Sequence, residues 1–319
     1  MKRRTFFGVL AGAVAGWPLA TRAQQQQKIW RVGYLISGPP ETLDSFRQRM
    51  TDLGYIEGKN LIVDARAAEG RYDRLPGFAK EIVDLHPDAI VAEATPAIAA
   101  AQRATKTIPI VMAPVTDPIG SGFIESFARP GRNITGVANM FGDLTAKSLE
   151  ILHRALPDGK TVAVLMSANP THARLYDVAS NGARMVGMST LPFVAATPAD
   201  LDRAFSEIKQ ARCDALYTLA DPYRPKIPEL AAATQIPAIY QYGYFVEFGG
   251  GLMSYGPDTL ALVAHAADYL DKIFKGANPA VLPVEQPTKF EFVLNLRAAK
   301  ALGLALPASI VLMADKVIE

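Results

Sequence analysis

The nine residues Asp88-Ala-Ile-Val-Ala-Glu-Ala-Thr-Pro96 recur as Asp214-Ala-Leu-Tyr-Thr-Leu-Ala-Asp-Pro222, with the same internal spacing. Upstream of these two copies, Val32-Gly-Tyr-Leu-Ile-Ser37 is echoed by Val162-Ala-Val-Leu-Met-Ser167. Downstream, each copy leads through an alanine-rich segment to an Ile-Pro pair and a further apolar run. Because the three echoes occur in the same order, we infer that one structural unit is present twice in the chain.

Around these echoes, short β-forming runs alternate with segments of helical composition, which predicts parallel sheets covered by helices on both faces. Several runs are rich in Val, Ile and Leu without alternation, as expected of strands buried on both sides. The predicted strands lie at 31–37, 61–67, 89–94, 108–113, 134–138, 161–167, 190–195, 215–220 and 236–241. We therefore predict an α/β protein with two Rossmann-like lobes, each built on a parallel central sheet.

Residues 1–23 have the layout of a secretory signal peptide, with a basic start, an apolar run and a short polar end. The 13 apolar residues at 8–20 would rise only ~20 Å as a helix, which is too short for a hydrocarbon core of ~30 Å. Arg3-Arg4-Thr5-Phe6-Phe7 also resembles a twin-arginine signal, so both export routes stay open. We expect cleavage after Ala23 and a periplasmic mature protein that does not insert into the membrane.

The composition is that of a globular protein long enough for two domains, with 319 residues of which 50% are hydrophobic and 20% charged. The net charge of +2 owes its sign to basic residues in the first 23 positions, which argues against a nucleic-acid partner. Cys213 is the only cysteine, so neither a disulfide nor a lipid-bearing cysteine at the cleavage site is expected.

Motifs for catalysis or metal binding are missing from the sequence. The four histidines are dispersed, and no phosphate loop, dinucleotide fingerprint or nucleophile elbow occurs. His172 is the only histidine near the predicted cleft, and we expect it to be a solvated surface residue. We therefore expect no metal, no cofactor and no enzymatic activity.

A ligand site is predicted where the two sheets end. In open α/β sheets, ligands bind at the carboxyl edge of the strands, beside the positive ends of the following helices. In the first lobe this edge offers Ser37, Gly38, Thr95, Pro96, Val115, Thr116 and Asp117. In the second lobe it offers Ser167, Asn169, Thr171, Asp221, Gln241 and Tyr242.

Several of these residues have structural alternatives. Thr95 and Asp221 occupy equivalent places in the two copies, each before a proline, where Thr and Asp are also common helix N-caps. Ser37 and Ser167 could satisfy main-chain groups at strand ends, and Asp117 could cap a helix or brace the hinge. Both interpretations remain open from the sequence.

Five segments carry a resemblance to a known family: Phe46-Arg-Gln-Arg-Met-Thr-Asp-Leu-Gly-Tyr-Ile-Glu-Gly-Lys-Asn60, Ala94-Thr-Pro96, Ile108-Pro-Ile-Val111, Thr116-Asp-Pro118 and Arg129-Pro-Gly-Arg-Asn-Ile-Thr-Gly136. With them the chain resembles the substrate-binding proteins of ABC transporters, of the tryptophan/tyrosine type, over 29–306. The resemblance implies a type I periplasmic-binding-protein fold with three hinge crossovers, near 133–137, 253–256 and 281–287. Lobe 1 would comprise 29–135 plus 257–283, and lobe 2 would comprise 136–256 plus 284–319.

The resemblance also implies a function. We expect a monomeric solute-binding component of an ABC uptake transporter that closes on a small molecule, such as an amino acid or aromatic carboxylate. Its partners would be an ABC permease and ATPase. A carboxylate would bind near Ser37, Thr95 and Thr116, and an ammonium near Asp221 or Asp117 with Tyr242 or Tyr240. The alternatives are a receptor that feeds a signalling partner or an exported α/β enzyme.

Overall fold

The computed structural model describes residues 28–219 and 224–319, so that the predicted signal peptide and Asp221 lie outside the described residues. The first half of the chain contains β1 (Trp30–Ile36), α1 (Leu43–Asp52), β2 (Leu61–Ala67), α2 (Leu75–Asp84), β3 (Ala89–Glu93), α3 (Ala94–Ala104), β4 (Ile110–Val115) and β5 (Ile134–Ala138). Its five strands form one parallel sheet in the order β2-β1-β3-β4-β5.

The second half begins with α4 (Phe141–Ala155), β6 (Thr161–Met166), α5 (His172–Met185), β7 (Ser189–Val194), α6 (Leu201–Gln210) and β8 (Ala215–Thr218). It continues with α7 (Lys226–Ala233), β9 (Ala238–Tyr240), α8 (Tyr244–Glu247), β10 (Met253–Gly256) and α9 (Thr259–Phe274). The chain ends with β11 (Glu291–Asn295), α10 (Leu296–Ala301), α11 (Ala308–Met313) and β12 (Lys316–Ile318). The second sheet has seven strands in the order β12-β11-β10-β9-β8-β6-β7.

The duplicated plan predicted from the echoes is confirmed by the strand orders. The order β2-β1-β3-β4-β5 of the first sheet is matched by β7-β6-β8-β9-β10 in the second. The echoed segments form equivalent strands, with β1 matching β6 and β3 matching β8. All nine predicted strands are present, with bounds shifted by one or two residues at most. The sequence does not predict β10, β11 and β12, of which β11 runs antiparallel to β10.

Alternating side chains of β1 explain how the first sheet is covered on both faces. Val32, Tyr34 and Ile36 pack with α1 and α9 in one buried cluster, whereas Leu35 packs with α2 and α3 in another. Helix α9 therefore belongs to the first half, although it follows β10 in the chain. It packs against α1, β4 and β5.

The chain passes between the halves at 139–140, at 257–258 and across 275–290. The ranges near which crossovers are predicted, 133–137 and 253–256, coincide with β5 and β10, and the passages follow these strands directly. The first sheet thus extends past the predicted boundary at residue 135 to Ala138. The third passage runs beside β5, where Glu285 and Val137 form an isolated bridge. Glycine at 136 marks close contact between neighbouring strands and not a pivot: a Cβ there would overlap main-chain atoms of Met112.

Candidate ligand-binding cleft

The carboxyl ends of the strands of both sheets face a common cleft. Across it, the Asp117 carboxylate, which follows β4, forms an ion pair with the Arg174 guanidinium of α5. The loops also approach each other farther along, where a Cβ at Gly70 would lie 3.0 Å from Pro198. Cavities lined by residues of both halves lie along this seam, and their volumes are about 270, 450 and 370 Å³. The two halves are therefore in contact around an enclosed seam.

Strand-end loops of the first half turn sharply at residues other than glycine. Glu69, Ala94, Asp117 and Met140 follow β2, β3, β4 and β5, and each has a left-handed φ between 49° and 66°. Such backbone costs about 1–3 kcal/mol per residue and persists where the surrounding structure holds it. The backbone strain of the first half is thus found at the carboxyl edge of its sheet, which faces the cleft.

Ser37, which follows β1, and Thr95 both lie at the start of α3, but their hydroxyls differ in whether they have hydrogen-bond partners. The Ser37 hydroxyl donates to the Glu93 carbonyl oxygen at 2.9 Å and accepts from the Ala97 N–H at 3.0 Å. The Thr95 side chain is buried, and its hydroxyl has no hydrogen-bond partner among the described residues. Ser37 thus has the structural role foreseen as an alternative, whereas Thr95 retains a donor and an acceptor at a helix N-terminus.

The other candidates of the first half are bound to their own surroundings. The Thr116 hydroxyl and the Asn139 side-chain amide are mutual partners, at 3.0 and 2.9 Å. Asp117 accepts the Gly120 N–H at 3.0 Å with one oxygen and pairs with Arg174 through the other. Asp117 therefore holds its own turn and bridges the halves. The three remaining candidates, Gly38, Pro96 and Val115, are buried.

In the second half, the loop after β6 is held by hydrogen bonds among its own residues. The Asn169 side-chain oxygen accepts from the Thr171 N–H at 3.1 Å and from the Thr171 hydroxyl at 2.9 Å. Ser167 accepts the Asn169 N–H at 3.1 Å and donates its own N–H to His172 Nδ1 at 2.8 Å. His172 is therefore buried, and the expectation of a solvated histidine is wrong, because the Ser167 N–H at the strand end takes the imidazole nitrogen as its acceptor.

Gln241 and Tyr242 lie behind the cleft surface. The Gln241 amide donates to the Phe141 carbonyl oxygen at 3.2 Å and to the Tyr217 hydroxyl at 2.6 Å, which ties α4 to the second sheet. The Tyr242 ring is buried between Phe141 and Tyr244, with ring centroids 4.8 and 5.0 Å away. Tyr244 in turn lines one of the cavities between the halves.

Glu93 is a residue of the cleft that the sequence predictions do not include. Its side chain is only 7% exposed, and the Thr42 hydroxyl donates to its carboxylate at 2.7 Å. Burial raises the pKa of Glu93 to about 7, although the hydroxyls of Thr42 and Tyr34 act in the opposite direction. The sequence did contain a signal for Glu93. Strand β3 is otherwise apolar and is buried over its whole length, and the residue equivalent to Glu93 in the second copy is Leu219.

Two similar sheets with a polar seam between them define a two-lobed ligand-binding protein. Residues 34–318 match the ABC transporter substrate binding protein family. The chain belongs to this family and is a substrate-binding protein. The described residues contain no helix that is both long and apolar enough to cross a bilayer.

Similar proteins agree with this assignment. The chain is 25% identical over 287 residues to a tyrosine-binding protein of Clostridioides difficile. The aligned region covers 88% of this chain and 82% of that protein. A conserved domain protein from Vibrio cholerae is 28% identical with a TM-score of 0.83, covering 91% of this chain and 100% of the other. The fold matches that of type I periplasmic binding proteins.

Two further solved structures are similar to the chain over most of its length. The ABC domain from Streptococcus pneumonia in complex with L-Trp is 25% identical and has a TM-score of 0.82, covering 91% of this chain and 100% of the other. The ligand-free, open structure of a Clostridium difficile substrate binding protein is 24% identical, with a TM-score of 0.61, and covers 91% and 99%.

Proposed function

We propose that this protein is the exported capture component of an ABC uptake system and that its ligand is an aromatic amino acid. The proposal includes cleavage of residues 1–23, a periplasmic location, delivery to a membrane permease, and no catalysis. The relatives that bind tyrosine and L-Trp support the ligand class. The observation that carries the binding site is the buried Thr95 hydroxyl, which lacks a partner among the described residues.

In this mechanism the ligand carboxylate binds at the first turn of α3. The first N–H groups of a helix have no partners within the helix, and the helix dipole favours negative charge there. In α3 the Ala97 N–H already donates to Ser37 and Pro96 has no N–H, so the main-chain donors proposed for the carboxylate are those of Ala94 and Thr95. Thr95 adds its hydroxyl to these main-chain donors. The Thr95 hydroxyl then gains a hydrogen-bond partner, which it does not have among the described residues.

Ligand binding favours closure because the ligand contacts both halves only when they are together. A ligand shifts such an equilibrium by its difference in affinity for the two states. The polar loops after β3 and β6 belong to different halves, so a ligand that contacts both loops stabilises the closed state. The closed surface is then the form that a permease recognises.

Thermal stability and calorimetry of the mature chain, 24–319, test this function. A ligand at a hundred times its Kd stabilises the folded state by about 2.7 kcal/mol, so L-tryptophan or L-tyrosine is expected to raise the Tm. Thr95→Ala should weaken binding at least tenfold, which is about 1.4 kcal/mol, with little change in the Tm without ligand. The matched control is Thr51→Ala on the exposed side of α1, which should bind as the wild type does.

The proposal is contradicted if no aromatic amino acid stabilises the protein. It is also contradicted if the ligand is recovered chemically changed after incubation, since a capture protein returns it intact. Equal affinities of Thr95→Ala and wild type would remove Thr95 from the site.

A further inference from the structure

Glu93 is a buried acid at the end of β3. Among residues 28–219 and 224–319, no Lys, Arg or His forms an ion pair with it, and the only neighbouring charge that acts on it is the negative charge of Glu41. Its polar neighbours are the hydroxyls of Thr42 and Tyr34. An ionised carboxylate in such surroundings is costly unless a positive charge joins it.

The Glu93 carboxyl lines a cavity of about 370 Å³ that both halves form together. The first half contributes Pro39, Glu41, Thr42, Glu93 and Leu260, and the second half contributes Tyr244 and Phe248. This volume lies within the usual range for small-molecule sites, which combine apolar and aromatic walls with a few polar groups. The cavity therefore has room for a small organic group. The charged residues of its lining, Glu41 and Glu93, are both acids, so they favour a cationic group.

Aromatic rings beside a carboxylate suit an organic ammonium group better than a bare metal ion. The faces of aromatic rings attract cations, while a carboxylate accepts their hydrogen bonds. Tyr244 and Phe248 approach from the second half, whereas Glu93 belongs to the first. A cation held here contacts both halves and thereby favours closure.

We propose that Glu93, together with the rings of Tyr244 and Phe248, binds the ammonium group of the captured ligand. This inference rests on the proposed function and deepens it, because it requires a primary amine and excludes ligands that are carboxylates alone. Glu93 lies two residues before Thr95 in the chain, and the proposal assigns the two charged ends of one zwitterion to these two residues. Asp117, one of the two acids expected for this role from the sequence, is already paired with Arg174.

Proton linkage makes the proposal measurable. With a pKa of about 7, Glu93 is largely protonated at pH 6 and largely ionised at pH 8 in the unliganded protein. An ammonium group binds the ionised form and must displace the proton at lower pH. The affinity for an amine should therefore rise about tenfold from pH 6 to pH 8. The α-ammonium group of a free amino acid stays charged across this range.

The experiment is calorimetry on the mature chain at pH 6 and pH 8, with L-tryptophan, indole-3-propionate and tryptamine as probes. Wild type should bind L-tryptophan about tenfold more tightly at pH 8 and should bind indole-3-propionate at least tenfold more weakly than L-tryptophan. Glu93→Gln, which has the same shape, should lose the pH dependence and bind L-tryptophan at least tenfold more weakly at pH 8. The matched control is Glu229→Gln on the exposed side of α7, away from the cavity, which should keep the wild-type affinity and pH dependence.

The outcomes separate this inference from the proposed function. If L-tryptophan binds equally well to Glu93→Gln with an unchanged pH profile, the amine site is wrong and the capture function stands. An affinity that falls as the pH rises also overturns the inference, because protonated Glu93 would then be the donor. If Glu93→Gln does not fold, wild-type binding of indole-3-propionate as tight as that of L-tryptophan overturns it instead.

Failure of all aromatic amino acids would overturn the proposed function. Tryptamine then decides the amine site: binding that rises with pH in wild type and is lost in Glu93→Gln supports it. If tryptamine does not bind, the inference falls as well.

Discussion

Glu93 has consequences for stability as well as for binding. In the folded protein its pKa is about 7, against an ordinary value of 4.5, so between these pH values the folded state keeps a proton that the unfolded chain has released. The free energy of unfolding must therefore decrease as the pH rises from about 4.5 to about 7. For this shift the decrease is on the order of 3 kcal/mol.

We expect Glu93→Gln to remove this contribution. Urea denaturation at pH 5 and pH 8 gives the change in the free energy of unfolding between these pH values. The contribution of Glu93 is the difference between this change in wild type and in the variant, both without ligand. Wild type should lose on the order of 3 kcal/mol relative to Glu93→Gln over this interval, whereas Glu229→Gln on the exposed side of α7 should follow wild type. Parallel profiles for wild type and Glu93→Gln would contradict the raised pKa of Glu93.

At the scale of elements, the pairing of β4 with β5 depends on Gly136. Its φ of 130° is a conformation that side chains rarely adopt, and a Cβ would overlap the main chain of Met112 in β4. Gly136→Ala should therefore displace β5 and lower the free energy of unfolding by roughly 3 kcal/mol or more. The measurement is chemical denaturation of the unliganded mature chain.

Gly77 supplies the matched control for this prediction. It lies in α2 with ordinary backbone and open space where a Cβ would stand. Gly77→Ala should gain up to about 1 kcal/mol, because alanine is the better helix former. A Gly136→Ala variant as stable as wild type would show that β5 can move away from β4 without cost.

At the scale of the whole molecule, the Asp117–Arg174 ion pair joins the two halves. Its side chains are 30% and 70% exposed, so the pair contributes at most about 1 kcal/mol to the closed state. Arg174→Ala should therefore lower the ratio of closed to open molecules by up to about fivefold. The expected result is a larger radius of gyration in X-ray scattering without ligand, and ligand binding weakened by up to the same factor.

Arg184→Ala is the control on the same helix, since Arg184 contacts Asn181 of α5. It should scatter and bind as wild type does. High salt should reduce the difference between Arg174→Ala and wild type, because exposed charges are screened. An unchanged radius of gyration for Arg174→Ala at low salt would mean that the ion pair does not govern closure.

The sequence predicted the fold well and the state of the site residues less well. Runs such as Ala89–Glu93 are apolar over their whole length, and that local pattern is enough to place a buried strand. The second sheet was predicted incompletely. The glycines near Met253–Gly256 favoured a crossover there, whereas the segment forms strand β10. Short strands completed by distant neighbours have no local pattern of their own.

By itself, the sequence determined the duplicated α/β plan, because strand and helix patterns are local and the echoes report directly on equivalent units. Only the tertiary structure decided which polar side chains remain available to a ligand. Ser37 meets Ala97 and Thr116 meets Asn139, whereas Thr95 lacks such a partner and Glu93 lacks a cation among the described residues. The physical reason is that hydrogen bonds and buried charges are settled by groups far apart in the chain, which meet only when the sheets and loops have assembled.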